Sequence, residues 1–373
     1  YTINGISSYA KTKFNKAQYN INLEDNSRNQ TDNPDYNAED VFEAFYSRWE
    51  YNRLNWDKIN AQFGAEIRKE KVFGSKIQKE EAETFECAYF TKAEYNFSEQ
   101  WKTQIGFRIP YHSMYNAPIT PSIHIQHNRK SSTQWRASYA RGFRAPSIKE
   151  LFMEFVDFNH NIVGNGNLNA EYSNAFNSSV SLTPIKGEQR YLQIDIESSF
   201  QDMKNKISLA QIENSTGYTY YNLSKSIYYG FHTSIQAKAS QSSNLQISWN
   251  RYTTDAEEFY EPITNQNFSF RYQFNSKKDH FAANITMKMK SKNTFQRLEE
   301  DNLVNFEQEG YEIINMNLIK TFPNINATLS CGVKNLTNVK NILDQAGGGA
   351  HSGSESIISW GRTYFLQYKI IFQ

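Results

Sequence analysis

Strict alternation of apolar and polar residues, sustained over long stretches and repeated along the chain, limits this sequence to a sheet whose two faces meet different surroundings. In residues 190–201 the apolar phase is Leu192, Ile194, Ile196 and Phe200, and Gln193, Asp195, Glu197, Ser199 and Gln201 fill the other. Phe268, Phe270, Tyr272 and Phe274 alternate with Ser269, Arg271 and Gln273. Phe281, Ala283, Ile285, Met287 and Met289 alternate with Asn284, Thr286, Lys288 and Lys290. The same rhythm returns in Leu245, Ile247 and Trp249, in Ile325 through Val333, and in Tyr364, Leu366, Tyr368, Ile370 and Phe372. Each stretch reaches the roughly nine to eleven residues that a tilted strand needs to cross a bilayer, against about five or six in ordinary globular domains. The polar phase is rich in charged and amide side chains, which suits a hydrated lumen better than a second packed sheet.

Turn signals complete the pattern. Pro184-Ile185-Lys186-Gly187 and residues 240–244 suit tight hairpins, while residues 24–40, 69–83, 147–172, 253–267, 298–310 and 341–359 read as long polar loops. Short turns at one end and long loops at the other is the polarity of outer-membrane barrels. Aromatics near strand ends (Tyr89, Phe97, Trp101, Tyr139, Tyr228, Tyr229, Trp360 and Tyr364) are placed as interfacial girdles would be. The expectation is roughly sixteen antiparallel strands in a single unit over 1–373, with no second domain. A short helix is expected at 146–152, with Pro146 in its first turn.

Composition narrows the functions. With 40 basic and 39 acidic residues there is no global field to attract nucleic acid. Mean hydropathy is −0.72, and no apolar run approaches the ~20 residues of a membrane helix, which leaves a spanning barrel open. Two cysteines, Cys87 and Cys331, make no disulfide framework, and Cys331 falls on the apolar phase of its strand, where an inert thiol is expected. The sequence opens at Tyr1 within a strand-like stretch, without a charged or apolar leader, and so reads as a fragment or processed product. No Gly-x-Ser-x-Gly, phosphate loop or His-Glu-x-x-His occurs; Asp195 and Glu197 share a strand face but read as lumen polarity, so the chain is not expected to be an enzyme.

Three segments carry a resemblance. The first, shortly after a strand-like stretch, is Ser138-Tyr139-Ala140-Arg141-Gly142-Phe143-Arg144-Ala145-Pro146-Ser147-Ile148-Lys149-Glu150-Leu151-Phe152 with the downstream Gly164-Asn165-Gly166-Asn167-Leu168-Asn169-Ala170-Glu171. The second is Gly332-Val333-Lys334-Asn335-Leu336-Thr337-Asn338, and the third is the last strand from Gly361-Arg362-Thr363 through Phe372. In this order they resemble the C-terminal half of TonB-dependent receptors, active transporters of Gram-negative outer membranes. The resemblance implies an all-β fold, a transmembrane antiparallel β-barrel of 22 strands, of which roughly the first six are absent here together with the N-terminal plug domain. It implies capture of a scarce extracellular nutrient on the outer loops, and import driven by a TonB-type partner acting through the absent N-terminal part.

Haem receptors of this family resemble the chain further, in an aromatic-Arg-Ala-Pro box, a histidine and a second box. The matching positions are Phe143–Pro146, His160 and 165–168, with Gly166 where the usual proline would stand. That resemblance implies haem as a candidate cargo, ligated through its iron by His160; no intrinsic cofactor and no other metal is expected. Neutral imidazole is a suitable axial ligand for haem iron. Asp157, Phe158, Asn161 and Arg144 complete the candidate ligand-binding set, and His351, beside the glycines 347–349, is a further candidate. A siderophore, a corrinoid or an oligosaccharide remains open as cargo, and a passive porin or adhesin barrel is the alternative class. Expected partners are outer-membrane lipid, the energy-coupling protein, a small-molecule or glycan substrate and a surface lipoprotein.

Overall fold

The computed structural model describes every residue except 33–36, 57, 130–131, 157–160, 213–216, 260, 300–301, 344–354 and 372–373. Sixteen long strands follow one another: β1 (Thr2–Lys16), β2 (Ala38–Trp56), β3 (Ile59–Gly74), β4 (Glu81–Asn96), β5 (Trp101–His112), β6 (Thr120–Arg129), β7 (Thr133–Arg144), β8 (Glu171–Lys186), β9 (Tyr191–Gln211), β10 (Tyr218–Ser240), β11 (Ser243–Ala256), β12 (Ile263–Ser276), β13 (Phe281–Lys290), β14 (Tyr311–Phe322), β15 (Ala327–Lys334) and β16 (Thr363–Ile370). Each pairs antiparallel with its neighbour in sequence, from β1 on β2 through to β15 on β16. Among the described residues no pairing joins β1 to β16, so the sheet is a continuous wall with two free edges.

The connections alternate as the turn signals predict, although the loops expected over 69–83 and 253–267 are mostly strand and shrink to 75–80 and 257–262. Short connections separate each even strand but the last from its successor, such as the tight turns 187–190, 241–242 and 323–326, where Asn326 closes the turn with a φ of 46°. Every odd strand is followed by a connection at the other end, and the widest are 17–37, 145–170, 291–310 and 335–362. Short hairpins stand on the long-loop end: Tyr19–Ile21 on Arg28–Gln30, Glu154–Val156 on Asn161–Val163, and Asn293–Glu299 on Asn302–Gln308.

The two faces differ as the alternation demands. Outward side chains include Tyr89 at 70%, Tyr364 at 72% and Leu366 at 75% exposure, the kind of apolar outer face that a spanning barrel presents to lipid. Tyr139, Phe176, Phe200 and Tyr229 form one outward row, with successive ring centroids 4.8, 6.2 and 5.6 Å apart across β7–β10. Tyr228, expected in a girdle, belongs to the other phase of β10 and faces inward, because successive residues of a strand point to opposite faces. Cys331 sits between Leu318 and Leu366 on the outward face, and both cysteines are free.

The inner face is polar. Glu66 bridges three strands, accepting from Arg48 at 3.1 Å and Arg108 at 2.6 Å. Asp195 is tied down by Ser181 at 2.6 Å and by Gln193, the structural polarity expected of it. His124 and His127 point to opposite faces, as strand geometry requires: His124 lines the inner wall, and His127 packs outside against Trp101, its ring 4.2 Å from the indole. No helix among the described residues is long and apolar enough to cross a membrane.

Candidate functional site

The compact apolar core of this protein lies at the long-loop end, where residues 145–170 fold back onto the wall. Phe143 and Arg144, read from sequence as following a strand, are the last residues of β7. The chain then turns through Ala145 and the fully buried Pro146 into a helix, α1 (Ile148–Phe152), expected from the sequence. Pro146 precedes the N-cap and so lies outside the first turn. Ser147 is the cap: its hydroxyl accepts from the Glu150 amide at 3.3 Å, and its own amide donates to the Glu150 carboxylate at 2.7 Å. This reciprocal capping box satisfies two amides that a helix start leaves orphaned.

One face of α1 buries Ile148, Leu151 and Phe152 against Val72, Ile77 and Ala82 on one side and Leu168 and Ile207 on the other. The loop thereby ties the β3–β4 connection to the β9–β10 pair. Backbone bonds reinforce both ends. Gln78 and Glu154 donate to Phe152 and Lys76 at 2.9 and 2.7 Å, and the Asn165 side chain donates to the Tyr220 carbonyl at 2.9 Å. Asn222 receives the Asn169 amide at 2.8 Å. Gly164 is required by close approach, since a Cβ there would come within 2.8 Å of the Leu151 and Phe152 backbone. Gly166 is not: a Cβ would meet only Phe152, at 3.7 Å.

Charge fixes the base of this loop. The Arg144 guanidinium makes a fork on Glu171, 2.5 and 2.8 Å, and reaches Glu150 at 2.9 Å. Glu171, whose side chain is only 10% exposed, also accepts the Ile207 amide at 2.7 Å. Burial works against the charge of Glu150, but hydrogen bonds from Arg144 and Ser147 outweigh it and hold the carboxyl below the usual range. The Glu171 hydrogen bond strengthens the Arg144 charge against burial, and Glu150 adds to it. Tyr115, whose hydroxyl donates to the Leu168 carbonyl at 3.0 Å, is pushed up by burial and by the nearby Glu150 carboxylate.

Of the sequence-predicted site residues, Arg144 stands in this ion cluster, and Asn161 opens the return strand of the short hairpin, opposite Val156. Asp157, Phe158, His160 and His351 lie outside the described residues. Glu150 and Glu171 fall inside the segments that carry the resemblance but were given no site role, although the Ser-x-x-Glu spacing of Ser147 and Glu150 is a readable helix-start signal.

The second motif is also a lock. Asn335, 4% exposed and with a φ of 52°, donates to the Val339 carbonyl and the Ser359 hydroxyl, both at 2.6 Å, and accepts the Val339 amide at 3.0 Å. Its own amide donates to Asn315 at 2.9 Å. Arg362 closes the same loop from the far side, donating to the Leu336 carbonyl at 2.9 Å.

Further down the inner wall lies a polar hollow of about 750 Å³, lined among others by His124, Gln126, Arg136, Glu197, His232 and Asn250. His232 and Asn250 are hydrogen-bonded across the β10–β11 ladder. The hollow is open, wet and charged of both signs. It offers hydrogen bonds to a polar ligand or to a protein segment, and it carries no paired nucleophile and base. Among the described residues no cluster of three metal-ligating side chains occurs.

Comparison with known proteins agrees with this anatomy. The wall superposes on the ferric enterobactin receptor of Pseudomonas aeruginosa with a TM-score of 0.65 at 15% identity, covering 98% of this chain and 59% of that one. The siderophore receptor PirA of Acinetobacter baumannii gives 0.64 at 15% identity, covering 99% and 60%. The copper transporter OprC gives 0.66 at 12% identity, covering 99% and 63%. At such identities the likeness is one of fold, and the chain spans about three fifths of the length of these receptors. No curated protein matches in sequence. The family described as "TonB dependent receptor-like, beta-barrel" matches residues 1–336, so a wall of sixteen strands with a tight-turn end, a long-loop end and a polar lumen belongs to the TonB-dependent receptor β-barrel family.

Proposed function

We propose that this chain forms the greater part of the barrel of an outer-membrane receptor that captures a ferric chelate on its long-loop end and passes it inward under TonB-dependent coupling. The observation that carries the reading is the division of the wall. It has an apolar outward face fit for lipid, a polar inner face with an open hollow, and all the wide loops at one end. The siderophore receptors among its structural neighbours favour a metal chelate over a sugar or corrinoid. The free edges of β1 and β16 support closure by strands from elsewhere in the full-length receptor, because unpaired backbone is not tolerated in lipid. A plug domain in the lumen and the coupling partner belong to the same proposal.

Haem is the second reading, supported by the aromatic-Arg-Ala-Pro box and by His160. In the fold, Arg144 of that box serves the ion cluster, which leaves the reading on His160. The two cargoes separate in one experiment. The full-length receptor, purified in detergent, is titrated with a ferric catecholate and with hemin, following tryptophan quenching and the Soret band, beside a His160→Ala variant. Saturable quenching by the ferric catecholate without a Soret shift supports the chelate reading. A Soret shift lost in His160→Ala replaces it with haem.

A further inference from the structure

Two residues above the outward aromatic row, the face that meets lipid changes character. Arg141 follows Tyr139 on β7, and Asn174 and Asp202 lie in the same row on β8 and β9. One step further out, Lys204 of β9 stands directly opposite Lys225 of β10, with Tyr172 on its other side. Like charges directly opposed on a sheet repel and destabilise it. Nothing within the described residues relieves them: Arg141, Lys204 and Lys225 form no ion pair there. Glu257 follows the end of β11, and its amide donates to the Lys225 carbonyl at 3.2 Å. Its carboxylate accepts from the Ser224 hydroxyl at 3.1 Å instead of meeting the lysine. Asp202 is the only carboxylate inside the patch; one of its oxygens is buried without a hydrogen-bond partner, and it reaches none of the three cations. All three cations are exposed. Between them lies a recess lined by Arg141, Tyr172, Asn174, Asp202 and Lys204.

Height decides what can fill it. The outward residues below, Leu192, Ile194, Ile196 and Phe200 on β9, are the lipid-facing band, and the Tyr139–Phe176–Phe200–Tyr229 row marks its upper rim. Aromatic rows of this kind sit at headgroup level. The cations therefore stand at the headgroup layer on the outside of the wall, away from the lumen and from the loops that would take cargo. We propose that Arg141, Lys204 and Lys225 form a binding surface for the phosphate groups of a phosphorylated glycolipid of the outer leaflet. A phosphate set between Lys204 and Lys225 converts their repulsion into two charge-assisted contacts, and the Arg141 guanidinium offers a planar fork to a second phosphate one row below. Asn174, which accepts the Tyr139 hydroxyl at 2.9 Å, keeps its amide N–H groups for the sugar.

The inference goes beyond cargo capture but rests on the long-loop end facing outward. An epitope inserted after Asp25, in the exposed turn of the Tyr19–Gln30 hairpin, tests that orientation alone by antibody labelling of intact cells. The lipid surface is tested on the full-length receptor, extracted from outer membranes and examined by native mass spectrometry with bisphosphorylated lipid A or its dephosphorylated form carrying the same acyl chains. The phosphorylated form should be retained about tenfold better, a preference of the size that two charge-assisted contacts give. The Lys204→Gln/Lys225→Gln variant, checked for a folded barrel by heat-modifiable mobility, should lose most of the preference and keep about the twofold share that Arg141 supplies; should it fail to fold, Arg141→Gln alone should lower the preference at least twofold. Equal retention of the two lipids by the unaltered receptor, or a preference unchanged in the folded variants, overturns the proposal. Displacement of the lipid by millimolar inorganic phosphate also overturns it, since the site would then be for free phosphate.

Discussion

The loop after β7 and the loop after β15 both carry segments read from sequence as resembling the family, and both are locked, but by different physics. The first uses a small apolar core and a three-membered ion cluster, Glu150–Arg144–Glu171. The second uses neutral hydrogen bonds converging on one buried amide, Asn335. The contrast teaches that a segment which invites a reading as ligand chemistry can be a fastening. It also means the two loops should answer differently to truncation, acid and salt.

The largest effect is expected from Leu151→Ala. Leu151 is 0% exposed at the centre of the α1 contact, and removing it should cost about 2–5 kcal/mol. Hydrogen exchange should rise across residues 145–170 and leave residues 335–343 unchanged; equal deprotection of both loops would break the comparison. Asn335→Ala should do the converse at about 1–3 kcal/mol, because several buried partners lose their hydrogen bonds and an alanine is held at positive φ. Loss of protection at Val339 and around Ser359, with α1 intact, is the expected reading.

Arg144→Ala should cost less, about 1–2 kcal/mol by urea unfolding, although it breaks more ion contacts. The arginine side chain is 46% exposed, so solvent screens the pair, while Glu171 keeps its Ile207 amide as partner. Acid sharpens the same point. Glu150 has a lowered folded-state pKa, so its contribution is complete above the ordinary carboxyl value of 4.5 and is lost as pH falls through the folded value. Protection of the Asn165 amide, which donates to the Glu150 carbonyl, should therefore fall between neutral pH and about pH 3, while that of Val339 holds. The smallest effect is expected from Gly166→Ala, within about 0.5 kcal/mol, since only ordinary contact with Phe152 awaits the new methyl group.

Most of the wall was legible in the sequence because alternation is imposed residue by residue by lipid on one side and water on the other. Ile194 and Glu197 declare their faces without any knowledge of their neighbours. The turn-and-loop polarity was readable for the same local reason, and so was α1. What escaped depends on partners distant in sequence. Nothing in the chain around Arg144 announces that Glu171, across 26 intervening residues, will take its guanidinium, and the box was read as ligand chemistry. Tyr228 was misplaced because two adjacent tyrosines on a strand cannot both face outward, and only pairing with β9 decides which does. His160, which carries the haem reading, and His351 lie outside the described residues.

The length of β9 has a further consequence. From Gln201 to Gln211 the strand continues beyond the aromatic row, and at ~3.3 Å per residue that raises about 35 Å of ladder past the lipid rim. Two strands alone would make a marginal ribbon, but Ile207 and Asn222 are clamped by the loop after β7. A mouth held in this way has few shapes to search when a ligand arrives. On the proposed reading, capture should therefore carry a small entropic penalty, because the loop end is ordered before any ligand arrives.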